Sequence, residues 1–113
     1  MRLSHRFKEE DKIRFWIGHP YSILSRSNDK CSLHHIYSCG FDSADSILNS
    51  SMLDHVEHKE ADCFNSGGSG SKEYRQQLLK LTLQRAVKIG WEFTEKDKEF
   101  LEYVKEDVQD VLN

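Results

Sequence analysis

The sequence has no apolar run that approaches the roughly 20 residues a membrane-spanning helix needs. Its first segment, MRLSHRFKEEDK, is rich in charge and contains no apolar stretch of the kind that directs secretion. We therefore expect a cytoplasmic, intracellular protein without a membrane span. With 37% hydrophobic and 31% charged residues, the 113-residue chain has the composition of one soluble domain with a modest core.

Cysteine is scarce, and its three positions, Cys31, Cys39 and Cys63, include no CxxC pair. An odd count without such pairs fits neither a disulfide framework nor a familiar zinc ribbon. We predict reduced, partly buried thiols. A less regular Cys/His zinc site that includes His34 or His58 is a second interpretation, although the spacings match no common zinc pattern.

A basic excess, which is typical of dedicated nucleic-acid binders, is also missing. The 16 basic and 19 acidic residues give a formal charge of −3. The balance is regional, because the first thirty residues are richer in base: Arg2, Arg6, Lys8, Lys12, Arg14, Arg26 and Lys30. A divalent metal would further reduce local negative charge.

Helical and strand patterns along the chain predict an α+β domain that spans residues 1–113. A helix over residues 4–17 lies in an N-terminal segment, residues 1–27, and is ended by Gly18-His19-Pro20. CSLHHIYS (31–38) and SILNSSML (46–53) suit two short strands of a hairpin with a long connection. The hairpin falls in a central segment, residues 28–65.

Two capping boxes predict helix starts in the second half of the chain. Asp54 with Glu57, and Thr94 with Asp97, have the spacing at which the two side chains satisfy free N–H groups of a first helical turn. Between the two helix starts, residues 66–71 have the composition of a flexible Gly/Ser loop, natural or engineered. Apolar spacing then predicts two amphipathic helices, with a stop at Gly90, that form a helical hairpin over residues 72–113 and hold most of the core.

Two histidines stand next to each other in the first predicted strand, His34 and His35. Neighbouring side chains of a strand point to opposite faces, so the two imidazoles should have different surroundings. In the helix predicted from Asp54, His58 and Asp62 are four residues apart and share one face, where both could bind one ion. Taken alone, that pair is more typical of a solvated polar helix face, and we interpret His5, His19 and His55 as ordinary surface histidines or satisfied side chains.

In chain order, His34-His35, Asn49, His58 and Asp62 resemble the HNH endonuclease family, whose ββα-metal motif has a His-rich first strand, an Asn in the second and a metal-binding helix. The local sequences CSLHHI, LNSSML and EHKEAD carry the resemblance, which covers about residues 28–65. It implies that His35 is the general base and that Asn49 holds the loop of that base. It further implies that His34, His58 and Asp62 bind one divalent metal ion.

The chain departs from the family pattern at two points. Asp62 stands where many members have a second histidine, and a carboxylate favours magnesium or manganese over zinc. No CxxC pair brackets the motif, so residues 72–113 are predicted to serve as its scaffold.

The resemblance therefore implies a metal-dependent endonuclease that hydrolyses DNA phosphodiester bonds, of a small free-standing kind frequent in phage genomes. Backbone phosphate contacts are expected from Arg6, Arg26 and Lys30, and sequence specificity from a homodimer mate or another partner protein. The alternative is a non-catalytic interaction module, zinc-stabilised or purely helical, in which the histidines are structural.

Overall fold

The computed structural model describes residues 7–37, 41–65 and 71–112, and for residues 62–65, 71 and 111–112 it describes the backbone only. In chain order the elements are α1 (Glu9–Phe15), β1 (Ser32–His35), a 3₁₀ turn (Ile47–Asn49), β2 (Ser50–Leu53), α2 (His55–Asn65), α3 (Ser71–Ile89), α4 (Glu95–Tyr103) and α5 (Lys105–Leu112). The predicted α+β class is confirmed. The predicted Gly/Ser loop lies outside the described residues, except for Ser71, which begins α3.

The two strands form an antiparallel hairpin in which His34 pairs with Ser51 and His35 with Ser50. Because strand side chains alternate, this register gives the hairpin two faces. We name each face after the helix that covers it. The face that carries His34 is the α2 face, and the face that carries His35 is the α1 face. The α2 face consists of Ser32, His34, Ser51 and Leu53, and the α1 face of Leu33, His35, Ser50 and Met52.

A separate hydrophobic cluster lies on each face of the hairpin. On the α2 face, Leu53 is buried with Ile36, Ala61 of α2 and Leu78 of α3. On the α1 face, Leu33 and Met52 pack against a larger cluster drawn from the whole chain: Phe7, Phe15, Trp16, Ile47, Leu48, Leu79, Ala86, Phe100 and Val104. The prediction that residues 72–113 hold most of the core is therefore wrong, because the N-terminal and central segments supply much of it.

The N-terminal helix is shorter than the predicted residues 4–17. Lys8 has extended backbone angles and gives no side-chain cap, and Trp16 already leaves the helical region at φ −101°, ψ 17°. Arg85 of α3 donates to the carbonyl oxygens of Phe15 (2.9 Å) and Ile17 (3.1 Å). A tertiary contact, as well as Gly18 at φ 69°, thus ends α1.

The second strand also begins later than predicted, at Ser50. The Ser46 hydroxyl accepts a hydrogen bond from the Leu48 N–H (3.2 Å), which favours a 3₁₀ turn over residues 47–49. Asn49 therefore lies in that turn, immediately before β2, and is fully buried.

The last predicted helix is two helices in the structure. Val104 breaks the helical run at φ −106°, ψ 20°, and its N–H is shared between the carbonyl oxygens of Phe100 and Glu102. The break turns α5 onto α3, where Gln76 donates to Asp107 (3.3 Å) and Asp110 (3.2 Å). The predicted two-helix hairpin is therefore a three-helix unit. Among the described residues, no helix is both long and apolar enough to cross a membrane.

The predicted cap at Thr94 is confirmed, and its Asp97 has a second role. The Asp97 carboxylate is 1% exposed and accepts from the Thr94 N–H (3.0 Å), the Ser46 hydroxyl (2.7 Å) and the Trp91 indole N–H (2.9 Å). A buried carboxylate needs such donors, because it has lost its hydration. Asp97 thereby attaches α4 to the segment that leads into β2.

Replacing Asp97 with alanine should lower the free energy of unfolding by about 3 kcal/mol, because three donors lose their acceptor in a dry site. Chemical denaturation of the purified variant measures this. Glu99→Ala, an exposed position on the same helix, is the matched control and should change little. Equal losses in the two variants would contradict the structural role given to Asp97.

Candidate functional site

Two of the predicted metal ligands, His34 and His58, lie next to each other between the α2 face of the hairpin and α2. Their ring centroids are 5.0 Å apart, with an angle of 74° between the ring planes. His34 is 4% exposed and His58 is partly buried. Twenty-four residues of chain separate the two histidines, so the fold, and not local sequence, brings them together.

The distance between the rings suits a shared metal ion. A metal bonded to an imidazole nitrogen at about 2.1 Å lies about 3.2 Å from the ring centroid. When the two metal–nitrogen bonds meet at the metal at about 90° to 110°, the centroids of the two rings lie about 4.6 to 5.3 Å apart. The observed separation of 5.0 Å falls in this range.

Ser32 sets the rotation of the His58 ring. Its hydroxyl lies 2.9 Å from His58 Nδ1, in hydrogen-bond contact. Contacts of this kind are typical of metal-binding imidazoles, because a partner on one ring nitrogen orients the other. Sequence reasoning missed Ser32. The signal was present, since Ser32 is two residues before His34 and therefore shares its face.

The third predicted ligand, Asp62, is placed only by its backbone. It lies on α2 one turn beyond His58, as predicted, but its side chain is outside the described residues. Among the residues that are described, no group of three or more His, Cys, Asp or Glu side chains could hold a metal ion. A complete ligand set thus remains a prediction that depends on Asp62.

His35 lies on the α1 face, opposite His34, as strand alternation predicts. Its imidazole stacks on the ring of Phe7 with the centroids 4.1 Å apart and the planes 18° from parallel. Phe7 is buried, so one side of the half-buried His35 ring is covered. The proposed base and the proposed metal ligand are thus separated by the thickness of the hairpin. Only a group at the edge or the end of β1 could be reached from both faces.

Asn49 connects the two ends of the segment between the strands. Its side-chain oxygen accepts from the Tyr37 N–H (2.8 Å), and its side-chain nitrogen donates to the carbonyl oxygens of Tyr37 (3.2 Å) and Ala44 (2.9 Å). Its own carbonyl oxygen accepts from the Ile36 N–H (2.9 Å). These bonds hold the residues that directly follow His35, which is the positioning role that the resemblance implies for Asn49.

Replacing Asn49 with alanine should lower the free energy of unfolding by about 3 kcal/mol. The reason is that the Tyr37 N–H and the carbonyl oxygens of Tyr37 and Ala44 would each lose a hydrogen-bond partner away from solvent. Amide hydrogen exchange should in addition speed up at Tyr37, whose N–H bonds directly to the Asn49 side chain. Asn28→Ala, at an exposed loop position, is the control. Unchanged exchange at Tyr37 in Asn49→Ala would contradict the positioning role.

The helix that carries His58 begins where the capping box predicts. Asp54 Oδ1 accepts from the Glu57 N–H (2.8 Å), and Glu57 Oε1 accepts from the Asp54 N–H (3.0 Å). The carbonyl oxygen of Asp54 accepts from the His58 N–H (2.9 Å). The cap therefore fixes the register in which His58 faces the hairpin.

The hydrogen bond from the Glu57 N–H lowers the pKa of the Asp54 carboxyl below its ordinary value. A carboxyl with a depressed folded-state pKa stabilises the fold above its unfolded pKa of about 3.9, and this stabilisation is lost as pH falls through the lower folded value. The parent should therefore be more stable than Asp54→Asn at pH 7, and the difference should shrink below about pH 4. Urea denaturation at several pH values measures this, and a difference that is constant with pH would contradict it.

The residues predicted to contact phosphate are only partly described. Arg6 lies outside the described residues. Arg26 and Lys30 are exposed and flank the turn before β1, and both have positive φ, 64° and 51°. Non-glycine residues rarely adopt this conformation, and sequence reasoning did not anticipate it.

Of the three cysteines, Cys31 is described, and it is a free, half-buried thiol as predicted. Its Sγ donates to the Ser27 carbonyl oxygen (3.1 Å). Burial raises the pKa of Cys31, which disfavours a thiolate ligand. The side chains of Cys39 and Cys63 lie outside the described residues, so a site that includes them stays untested.

Comparison of the chain with protein-family models, with curated proteins and with solved structures gives no match in any of the three.

Proposed function

We propose that this chain is a metal-dependent endonuclease of the HNH kind, which hydrolyses DNA phosphodiester bonds with one divalent ion and a histidine base. The observation that carries the proposal is the meeting of the His34 and His58 rings, 5.0 Å apart, between a two-stranded hairpin and a helix. The order hairpin, then helix, with these residues on facing surfaces, is the arrangement that a ββα-metal motif requires.

Hydrolysis of a phosphodiester bond requires few protein groups. A phosphodiester is anionic and repels hydroxide, so its hydrolysis needs charge neutralisation, a base for the attacking water and stabilisation of the leaving oxygen. A divalent ion bound by His34, His58 and Asp62 would supply the charge neutralisation. Magnesium or manganese suits this set better than zinc if the Asp62 carboxylate belongs to it.

His35 would accept the proton of the attacking water, because an imidazole titrates near neutral pH. Because His35 lies on the α1 face and His34 on the α2 face, the scissile phosphate would lie at the end of β1, where groups from both faces can meet. The stack on Phe7 restricts rotation of the ring, and Asn49 holds the segment that follows. Both contacts support a base whose orientation is set before substrate binds.

The scaffold role proposed for the C-terminal helices has support in the packing. Helix α3 contacts α2, β2 and the 3₁₀ turn. Thr82 of α3 donates to the Ser50 carbonyl oxygen (2.9 Å) at the start of β2. These contacts support the hairpin and α2 where relatives with CxxC pairs use a structural zinc. Sequence specificity would come from a homodimer mate or another partner, and phage origin remains part of the proposal.

Nicking of supercoiled plasmid DNA tests the proposal. With magnesium or manganese the parent should nick, and EDTA should stop it. His35→Ala should lower the rate by about 100-fold or more while keeping metal affinity. His34→Ala should weaken metal binding itself, which calorimetric titration measures. His55→Ala, an exposed histidine on the same helix as His58, is the control and should retain activity.

Undiminished nicking by His35→Ala, or none by the parent with any divalent ion, would refute the nuclease. If the parent does not nick DNA, loss of metal binding in both His34→Ala and His58→Ala would favour the alternative, a zinc-stabilised interaction module without catalysis.

A further inference from the structure

A cleft outside the histidine site lies between α3 and the segment that joins α1 to β1. Its volume is about 370 Å³. It is lined by Gly18, His19, Tyr21, Ser22, Ile23, Arg26, Leu81, Gln84, Arg85 and Lys88. The segment from residue 18 to 26 forms one wall and one face of α3 forms the other.

The charged side chains among the described residues that line this cleft are all cationic. Arg26, Arg85 and Lys88 contribute three cations, and no carboxylate is present among the described residues that line it. Within the described part of the chain, none of the three makes an ion pair, whereas Lys12, Lys96, Lys98 and Lys105 each pair with a carboxylate. A cleft lined by cations, with no carboxylate among its described lining residues, attracts anions.

Arg85 is held rigidly at this cleft. Its Nε and Nη2 donate to the carbonyl oxygens of Phe15 and Ile17, and its guanidinium lies 5.1 Å from the centre of the Trp16 ring. The charge is therefore fixed in place before any ligand arrives. A fixed guanidinium loses little conformational entropy on binding an anion.

The turn that carries Arg26 is also preorganised. The Ser22 hydroxyl accepts from the N–H groups of Leu24 (3.0 Å) and Ser25 (3.1 Å), and the Ser22 N–H donates to the Ser27 carbonyl oxygen (2.8 Å). The Ile23 N–H donates to the Met52 carbonyl oxygen (2.9 Å), which attaches the turn to β2. Arg26 itself has φ 64°, a left-handed conformation that is unfavourable for a non-glycine residue.

Neutral groups complete the lining. The ring centroids of His19 and Tyr21 lie 4.2 Å apart with the planes tilted by 31°, and Gln84 adds an amide to the α3 wall. Burial first, and then the charge of Arg85, lower the pKa of His19, which favours the neutral imidazole. The cleft thus combines fixed cations with neutral hydrogen-bonding groups.

We propose that this cleft binds a phosphate group. Three cations match an oxyanion with several charged oxygens better than a single carboxylate, and Arg85, whose Nε and Nη2 already donate to carbonyl oxygens, would contribute mainly its charge. The phosphate could belong to a small phosphorylated compound or to the backbone of a nucleic acid. The proposal does not depend on metal chemistry at the histidine site. If the chain does cut DNA, the cleft would hold a phosphate other than the scissile one.

The experiment uses the full chain in EDTA, so that cleavage plays no part in it. Arg26→Gly removes the guanidinium and keeps a residue that accepts positive φ. Lys88→Gln removes the second charge from an exposed helix position. Arg85 is left in place, because it also holds the end of α1. Lys98→Gln/Lys105→Gln, at two exposed positions outside the cleft, changes net charge by the same amount as the double variant and is the matched control.

Binding of inorganic pyrophosphate and of a short DNA duplex is measured separately for each variant. The double variant Arg26→Gly/Lys88→Gln should weaken binding of at least one probe by about tenfold or more, and Lys98→Gln/Lys105→Gln should not. For a backbone site, the slope of log affinity against log salt for the duplex should fall by about one for each cation removed. For a small-molecule site, pyrophosphate binding should be lost and duplex binding should not change.

Equal affinities in the double variant and in Lys98→Gln/Lys105→Gln would overturn the proposal, and so would failure of the parent to bind either probe. Either result leaves the plasmid-nicking experiment unaffected. A parent that binds phosphate in the cleft but never nicks DNA would in turn support this inference and refute the nuclease.

Discussion

The buried side-chain amide of Asn49 is the contact on which the geometry of the hairpin depends. The connection between β1 and β2 is long, and without internal support it would leave the ends of both strands free to move. Asn49 satisfies both the N–H and the carbonyl of Tyr37, and it also reaches Ala44. An amide is suited to this task because it is donor and acceptor at once and carries no charge to desolvate.

The two paired strands separate two different environments, one on the α2 face and one on the α1 face. On one side His34 meets His58, and on the other His35 stacks on Phe7. Polar side chains in the interior attach the surrounding helices to the hairpin. The Trp16 indole donates to the Ser50 hydroxyl (2.9 Å), and Thr82 donates to the Ser50 carbonyl oxygen. Directional bonds of this kind fix the positions of α1 and α3 more closely than apolar contact alone can.

Features that depend on a few neighbouring residues could be predicted from the sequence. Both capping boxes, the stop at Gly90 and the opposite faces of His34 and His35 follow from spacing within a single turn or strand. Features that depend on distant residues could not. The early end of α1 requires Arg85, and the break at Val104 accompanies the packing of α5 on α3. The Ser32 contact with His58 likewise joins residues 26 positions apart, although strand alternation already places Ser32 on the face of His34.

The sequence by itself determined the α+β class, the order of the elements and the residue types available for metal and proton chemistry. These follow from short-range periodicity and from the properties of individual side chains. Only the tertiary structure decided that His34 and His58 meet, that His35 is covered by Phe7, and that cations from two separate segments line one cleft. Such distances are set by the packing of whole elements on both faces of the hairpin, and no local pattern in the chain encodes them.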